Sequence, residues 1–286
     1  MDASQPDDQS LVAEARSLEA RGVRELILIA QDTTRYGEDL GLGRHGLLRL
    51  VEALLEETSI PWIRFLYAYP TTLDEELLTL MGARIASSPT SISRCSTPIA
   101  RSSAPCDGAA APSYLRLLAG AAIGSRISSS VRPSSSVFRE RTRSASRPCC
   151  VSSRRPASTT SAPSSHSPEP GTPGAELTGR IPRSVAARRH ARLLEAQRPI
   201  SLASRQRLVG RTLETLVEGV CEETEHLLQG RHRGMGPEMD GRLLLNDGSA
   251  PAGSLVQVEV TEAHPDDLVG RIVGPAGDPS VRVAAA

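Results

Sequence analysis

Apolar and polar positions follow three different rhythms along this chain. Over residues 10–81 the spacing is that of helices and strands in turn. Leu11, Ala15 and Leu18 fall on one helical face, with Ser10 as a candidate cap and Gly22 as a stop. The apolar run Val23 to Ala30 then predicts a buried strand. Leu47, Leu48, Val51, Leu54 and Leu55 mark a second amphipathic helix. Pro61 precedes a second strand, Trp62 to Tyr67, and Thr72 can cap a third helix, Leu73 to Met81. This αβαβα order predicts a parallel sheet with crossover helices. Two strands alone can neither close a barrel nor bury both faces of a sheet.

The rhythm is lost between about Ser87 and Ser165, where Ser, Arg, Pro and Ala dominate. Ordering each residue costs about 1–2 kcal/mol of backbone entropy, which so little apolar surface cannot offset. The stretch is therefore expected to be disordered. Taken literally it is a basic, Ser/Arg-rich segment suited to RNA or to phosphorylation. The genetic code offers a second explanation. With GC-rich codons, Ile127–Thr142 (ISSSVRPSSSVFRERT) read one base earlier gives DLVLRPSFIVGFPGET. The same shift over Pro148–Pro163 gives LLRFVEEARFDHVGAF. The first is a strand ending in a Gly-Pro-Gly turn, and the second is a helix followed by a strand. Both restore the α/β pattern, so this segment is expected to be translated out of frame.

Order returns from about Ser167. SPEPGTPGAEL is a turn region, and Val185 to Leu208 has helical character. From Leu208 to Val273 short strands alternate with Gly-marked turns: LVGRTLETLVEG, EHLLQGRH, GRLLLNDG, GSLVQVEVTEAH and DDLVGRIVG. Val256, Val258 and Val260 alternate with Gln257 and Glu259, the period of a half-buried strand. About five such strands suggest a small OB-like barrel.

Bulk properties narrow the function classes. Formal net charge is zero over 286 residues, so no global field favours nucleic acid or membrane. No apolar run approaches transmembrane length, and the start MDASQPDDQS is acidic rather than signal-like. A cytoplasmic location is expected. The five cysteines (Cys95, Cys106, Cys149, Cys150 and Cys221) form no C-x-x-C or C-x-x-x-C-x-x-C spacing, so no zinc or iron–sulfur site is spelled out. Cys221 is isolated and expected to be structural. His226, His232 and His264 are scattered among strands, and no metal site is expected from them. Asp266 and Asp267 are expected in a turn before the last strand.

The strings GVRELILIAQDTTRYGEDL, WIRFLYAYPTTLDEELLTLM, SPEPGTPGAEL, LVGRTLETLVEG, EETEHLLQGRH, NDGS and EAHPDDLVGRIVG closely resemble, in that order, the radical-SAM methylthiotransferases that modify ribosomal protein S-twelve. The resemblance covers residues 11 to about 88 and about 166 to 274. QDTTRYG favours this branch over the related tRNA methylthiotransferases. The reframed strings FIVGFPGET and GAF fit the same family.

The resemblance implies an α/β fragment of a radical-SAM (partial TIM-like) barrel over 1–88. An out-of-frame segment over 89–165 follows, then the end of the barrel with a connecting helix over 166–207. An all-β, OB-like TRAM barrel over 208–274 and a tail over 275–286 complete it. It also implies S-adenosylmethionine and two four-iron four-sulfur clusters as cofactors, and ribosomal protein S-twelve or the ribosome as partner. An RNA contact through the TRAM barrel belongs to the same picture. The reaction adds a methylthio group to the β-carbon of an aspartate, an unactivated C–H bond that calls for radical chemistry. The family's barrel cluster uses three cysteines in a C-x-x-x-C-x-x-C loop, expected just upstream of Leu11. This sequence has no such loop, so the chain as written is expected to be inactive.

Candidate site residues follow. Gln31, Asp32, Thr33, Thr34 and Tyr36 sit in the polar turn after the first strand, where α/β sheets bind ligands. The resemblance makes this turn a cofactor wall; the plain alternative is an exposed loop in which Asp32 or Thr33 caps the next segment. Tyr67 and Tyr69 end the next strand and can reach the same pocket, or pack at the sheet edge. In the barrel, Arg211, Arg231, Arg233 and Arg242 are candidate contacts to a ribosomal partner or RNA phosphate, or solvated surface groups. Three functions compete: a truncated, frameshifted enzyme, a non-catalytic TRAM-type module binding RNA or ribosomal protein, and a pseudogene product.

Overall fold

A computed structural model describes residues 6–67, 76, 77, 80, 171, 182–238 and 240–276. The first helix, α1, spans Asp8–Ala20. Its cap is Asp7 rather than the expected Ser10: the Asp7 carboxylate accepts from the Ser10 backbone N–H at 2.8 Å. Ser10 lies within the first turn and donates its hydroxyl back to the Asp7 carbonyl. Gly22 ends the helix in a left-handed conformation.

Strand β1 is Glu25–Leu28 and β2 is Trp62–Phe65. They pair in parallel, Glu25 opposite Trp62 and Leu28 opposite Phe65, as the βαβ pattern requires. Both are shorter than the apolar runs suggest, because the ladder extends only where the two segments face each other. Helix α2, Gly46–Glu57, crosses between them and buries Leu47, Leu48, Leu50, Val51 and Leu54. Side chains alternate across a strand, and β2 shows the result. Ile63 packs with Ala15, Leu50, Leu54 and Ile60, while Phe65 joins Leu47, Leu48, Val51 and Leu77.

Trp62 and Arg64 therefore point to the opposite face, yet every residue of β2 is buried. The C-terminal barrel covers that face. The Trp62 indole N–H donates to the Glu214 carboxylate at 3.0 Å, and the Arg64 guanidinium donates to the Arg233 carbonyl at 3.2 Å. A two-stranded unit that cannot seal both faces alone is thus sealed by a second domain.

Helix α3, Arg183–Gln206, precedes that barrel and contains Pro199. Proline has no N–H to give the Glu195 carbonyl one turn back. The barrel comprises β3 (Thr212–Cys221), β4 (Thr224–His232), β5 (Leu243–Asp247), β6 (Leu255–Ala263) and β7 (Leu268–Pro275). All five expected strands form, and they close in the order β3-β4-β5-β7-β6. One pairing, β5 with β7, is parallel, with Leu243 opposite Leu268. The alternation in β6 holds: Val256, Val258 and Val260 enter a core with Val217, Met235, Leu243, Leu245 and Leu268.

Most of the expected third helix (Leu73 to Met81), the segment 89–165, Tyr69 and the cysteines Cys95, Cys106, Cys149 and Cys150 lie outside the described residues. No helix among the described residues is long and apolar enough to cross a membrane.

Candidate functional site

The turn after β1 is built by its own polar side chains. Asp32 caps the short helical turn Thr33–Arg35, accepting from the Thr34 backbone N–H at 3.1 Å and from the Thr34 hydroxyl. Thr33 is buried and stitches the turn to the end of β2. Its N–H donates to the Tyr67 carbonyl at 3.2 Å, and its hydroxyl to the Leu66 carbonyl at 2.9 Å. Tyr67 itself has φ 59°, a left-handed conformation uncommon for an aromatic residue. Strained backbone of this kind clusters at ligand-binding positions. Gln31 is exposed at the mouth of the turn.

Tyr36 is turned towards α1. Its hydroxyl donates to the Pro6 carbonyl or the Asp8 carboxylate, 2.9 and 2.8 Å away. Burial first, and then the Asp8 carboxylate, raises the phenol's pKa, so it stays protonated. Arg35 pairs with Glu38 at the surface. The structure therefore brings Asp32, Thr33 and Thr34 together with the end of β2. It leaves Gln31 as an exposed member of the group and engages Tyr36 with the start of α1.

A second constellation lies on the other face of β1 and β2, and no sequence pattern announced it. Glu25, 6% exposed in its side chain, takes Arg64 on one oxygen at 2.9 Å and Arg231 on the other at 2.6 Å. Arg231 continues to Glu218 at 2.6 Å and donates to the Met235 carbonyl at 3.0 Å. Burial alone would raise the Glu25 pKa, but Arg231 and then Arg64 hold it below the usual carboxylate range. Arg231 was expected at the surface as a partner contact. It is buried instead, and its charge is spent on joining the barrel to β1.

Beside this network, the half-buried His232 has its pKa pushed down to about 4 by burial and by the guanidiniums of Arg205, Arg64, Arg233 and Arg231. Its Nδ1 accepts from the Gly234 N–H at 2.9 Å, which requires the neutral Nε2–H tautomer. Asp240 accepts from the Gly236 N–H, and burial raises its pKa.

The other barrel arginines vary in availability. Arg233 lies 3.5 Å from Glu214, and Arg242 lies 3.8 and 3.5 Å from Glu222 and Glu223. Arg211 is exposed. Between residues 209 and 273 there are eight Glu, four Asp and five Arg, a formal excess of seven negative charges. Since Arg231, Arg233, Arg242 and Arg271 all face carboxylates, the barrel presents an acidic surface.

The clusters that the family resemblance implies need cysteine thiolates as donors. Cys221 is the one cysteine among the described residues; it is buried, with Arg242 3.8 Å from its sulfur. No group of three or more His, Cys, Asp or Glu among the described residues is placed to hold a metal ion. These residues do not fit an iron–sulfur cluster.

Comparison with known proteins gives two findings. Residues 209–273 match the TRAM domain family. Nearly the whole chain is similar to ribosomal protein uS12 methylthiotransferases RimO. The protein of Anaeromyxobacter sp. (strain K) is 37% identical over 97% of this chain and 58% of its own length. That of Myxococcus xanthus (strain DK1622) is 36% identical over 94% and 56%, and that of Koribacter versatilis (strain Ellin345) 32% over 93% and 53%. The chain thus spans a little over half the length of these relatives.

Proposed function

We propose that this chain serves the methylthiolation of ribosomal protein S-twelve, contributing part of a radical-SAM pocket and the barrel that engages the substrate. The likeness to RimO proteins along nearly the whole chain supports the reaction class. Gln31, Asp32, Thr33 and Thr34 form one wall of the S-adenosylmethionine pocket in this reading; the family resemblance adds Tyr36, which the structure engages with α1, and Tyr69, which lies outside the described residues. The short capped turn fixes the backbone of that wall, and the strained Tyr67, just past β2, holds it through its carbonyl. When bound, the clusters and S-adenosylmethionine supply the radical chemistry. No donor set among the described residues fits a cluster, so these residues by themselves are expected to be inactive. Anaerobic reconstitution with iron and sulfide checks this: a four-iron absorbance together with cleavage of S-adenosylmethionine would overturn it.

The acidic barrel carries the choice of partner. A barrel segment with a formal excess of seven negative charges repels phosphate chains and attracts a basic protein. Ribosomal proteins bind RNA and are basic as a class. The barrel is therefore assigned to protein S-twelve and not to RNA, and the cytoplasm is where the two meet. The test is binding of purified S-twelve protein to the full chain by titration at rising salt. Binding that weakens with salt, and weakens further in the Glu222→Gln/Glu223→Gln/Glu225→Gln variant, is expected. No binding at low salt would remove the assignment.

The low-complexity stretch is assigned to a shift of reading frame within 89–165. The nucleotide sequence decides it: absence of an alternative frame encoding the strand and helix strings above would refute the shift.

A further inference from the structure

Helix α3 carries the opposite charge to the barrel it leads into. Between Arg183 and Arg207 there are seven arginines and one acid, Glu195. The helix has two sides. Gln197 and Ser201 are buried on the inner one, where Arg205 donates to Ser201 and to the Pro265 carbonyl. Arg183, Arg188, Arg192 and Arg198 are exposed, and Arg207 and Arg211 continue the exposed positive charge beyond the helix end.

Few carboxylates answer these groups. Arg198 has Asp266 at 4.0 Å, both side chains largely in solvent. Arg183, Arg188 and Arg192 have no ion pair among the described residues. Arg188 and Arg192 are four apart, so they are neighbours about 5–6 Å apart on the helix surface. From Arg183 to Arg207 the arginines are distributed along about 36 Å of helix axis at the helical rise per residue.

We propose that the exposed arginine strip of α3 is an RNA-binding surface that grips the phosphodiester backbone without reading sequence. Arg188 and Arg192 share one face and Arg198 flanks it, and their guanidiniums pair with phosphate in a bidentate fashion. This surface lies on a rigid helix next to a barrel whose charge would repel the same ligand, so RNA is confined to the α3 side. An anionic membrane surface offers the same charge, but among the described side chains of α3 only Leu194 is a large exposed apolar residue. Interfacial helices instead insert an apolar face. This inference does not depend on the methylthiolation reading, because it needs only the helix and its charge.

The test is fluorescence anisotropy of the full chain with a labelled single-stranded RNA of arbitrary sequence, over a potassium chloride series. Affinity is expected to fall steeply with salt. The Arg188→Gln/Arg192→Gln/Arg198→Gln variant should bind at least 10-fold more weakly, with the logarithmic salt slope shallower by about two to three, since each lost phosphate contact removes about one. The corresponding triple Lys variant keeps the charge and should retain most of the binding; circular dichroism confirms that all variants fold. No RNA binding by the wild type, equal affinity and slope in the Gln variant, or tighter binding to phosphatidylglycerol vesicles than to RNA would each overturn the proposal.

Discussion

Replacing Glu25 by Gln tests whether the barrel and the β1–β2 unit stand or fall together. Glu25 is the one carboxylate shared by Arg64 and Arg231, and the three side chains are 6%, 2% and 7% exposed. The substitution keeps the shape but leaves one acceptor oxygen for two buried guanidiniums. Arg231 retains Glu218, whereas Arg64 loses its 2.9 Å pairing with Glu25. Breaking a buried pair on one side costs about 3–5 kcal/mol. The remaining Gln hydrogen bond and the Glu218 partner return part of that, so a loss of about 3 kcal/mol is expected. At about 2–4 °C per kcal/mol for a chain of this size, the midpoint should fall by about 6–12 °C. The assay is thermal unfolding, with urea unfolding beside it, followed by far-ultraviolet circular dichroism and by tryptophan emission. Trp62 is the sole tryptophan and bonds to Glu214 across the same contact, so its emission reports undocking. A loss below about 1 kcal/mol with unchanged emission would refute the reasoning, since a cluster that holds the domains cannot be neutralised at so small a cost. The apolar triple replacement Glu25→Leu/Arg64→Met/Arg231→Met should recover part of the loss, because no buried guanidinium is then left unpaired, and the Glu218 carboxylate that loses Arg231 is itself 29% exposed.

His232 gives a pH signature. Its folded pKa, about 4, lies below the ordinary 6.5, so the unfolded chain takes the proton first. Its contribution is full above about pH 6.5 and is lost as pH falls towards 4, by about 2 kcal/mol given the partly exposed ring. Asp240, raised by burial, works in the opposite sense and loses stability as pH rises. His232→Gln should flatten the pH 7 to 5 difference in urea midpoint, and an unchanged difference would refute the assignment. Gly241→Ala should lower stability by about 2 kcal/mol or more, because a Cβ there would lie 1.4 Å from the Asp266 carbonyl oxygen; an unchanged melting temperature would show that the two loops part without cost.

Where the sequence was legible, a short-range pattern was responsible. The Val256/Val258/Val260 alternation located β6, and the Leu47–Leu55 spacing located α2, because each period is decided within one element. The cap was misplaced by three residues because Ser10 and Asp7 are both good N-cap types, and only backbone conformation separates them. The parallel β5–β7 pairing joins strands about one hairpin out of sequence order, which no local signal carries. The misreading of Arg231 has the same origin. Its partner Glu25 lies 206 positions away, so the sequence shows an arginine on a small barrel but not the carboxylate that draws it inwards. In the QDTT turn, the polar residues were legible as a group. That Asp32 and Thr33 are occupied in building the turn follows from where β2 ends, and two residues past β2 stands a positive-φ tyrosine that composition does not flag.

The docking of the barrel on β1 and β2 also joins the chain across residues 68–181. In polymer terms it closes a very long loop, and closure entropy grows only with the logarithm of loop length. Doubling such a loop costs about 0.6 kcal/mol. The Glu25–Arg231 contact therefore makes the two flanking pieces nearly indifferent to how many residues intervene. An insertion, a deletion or a shift of frame inside that stretch can rewrite its sequence while the pieces on either side still find each other.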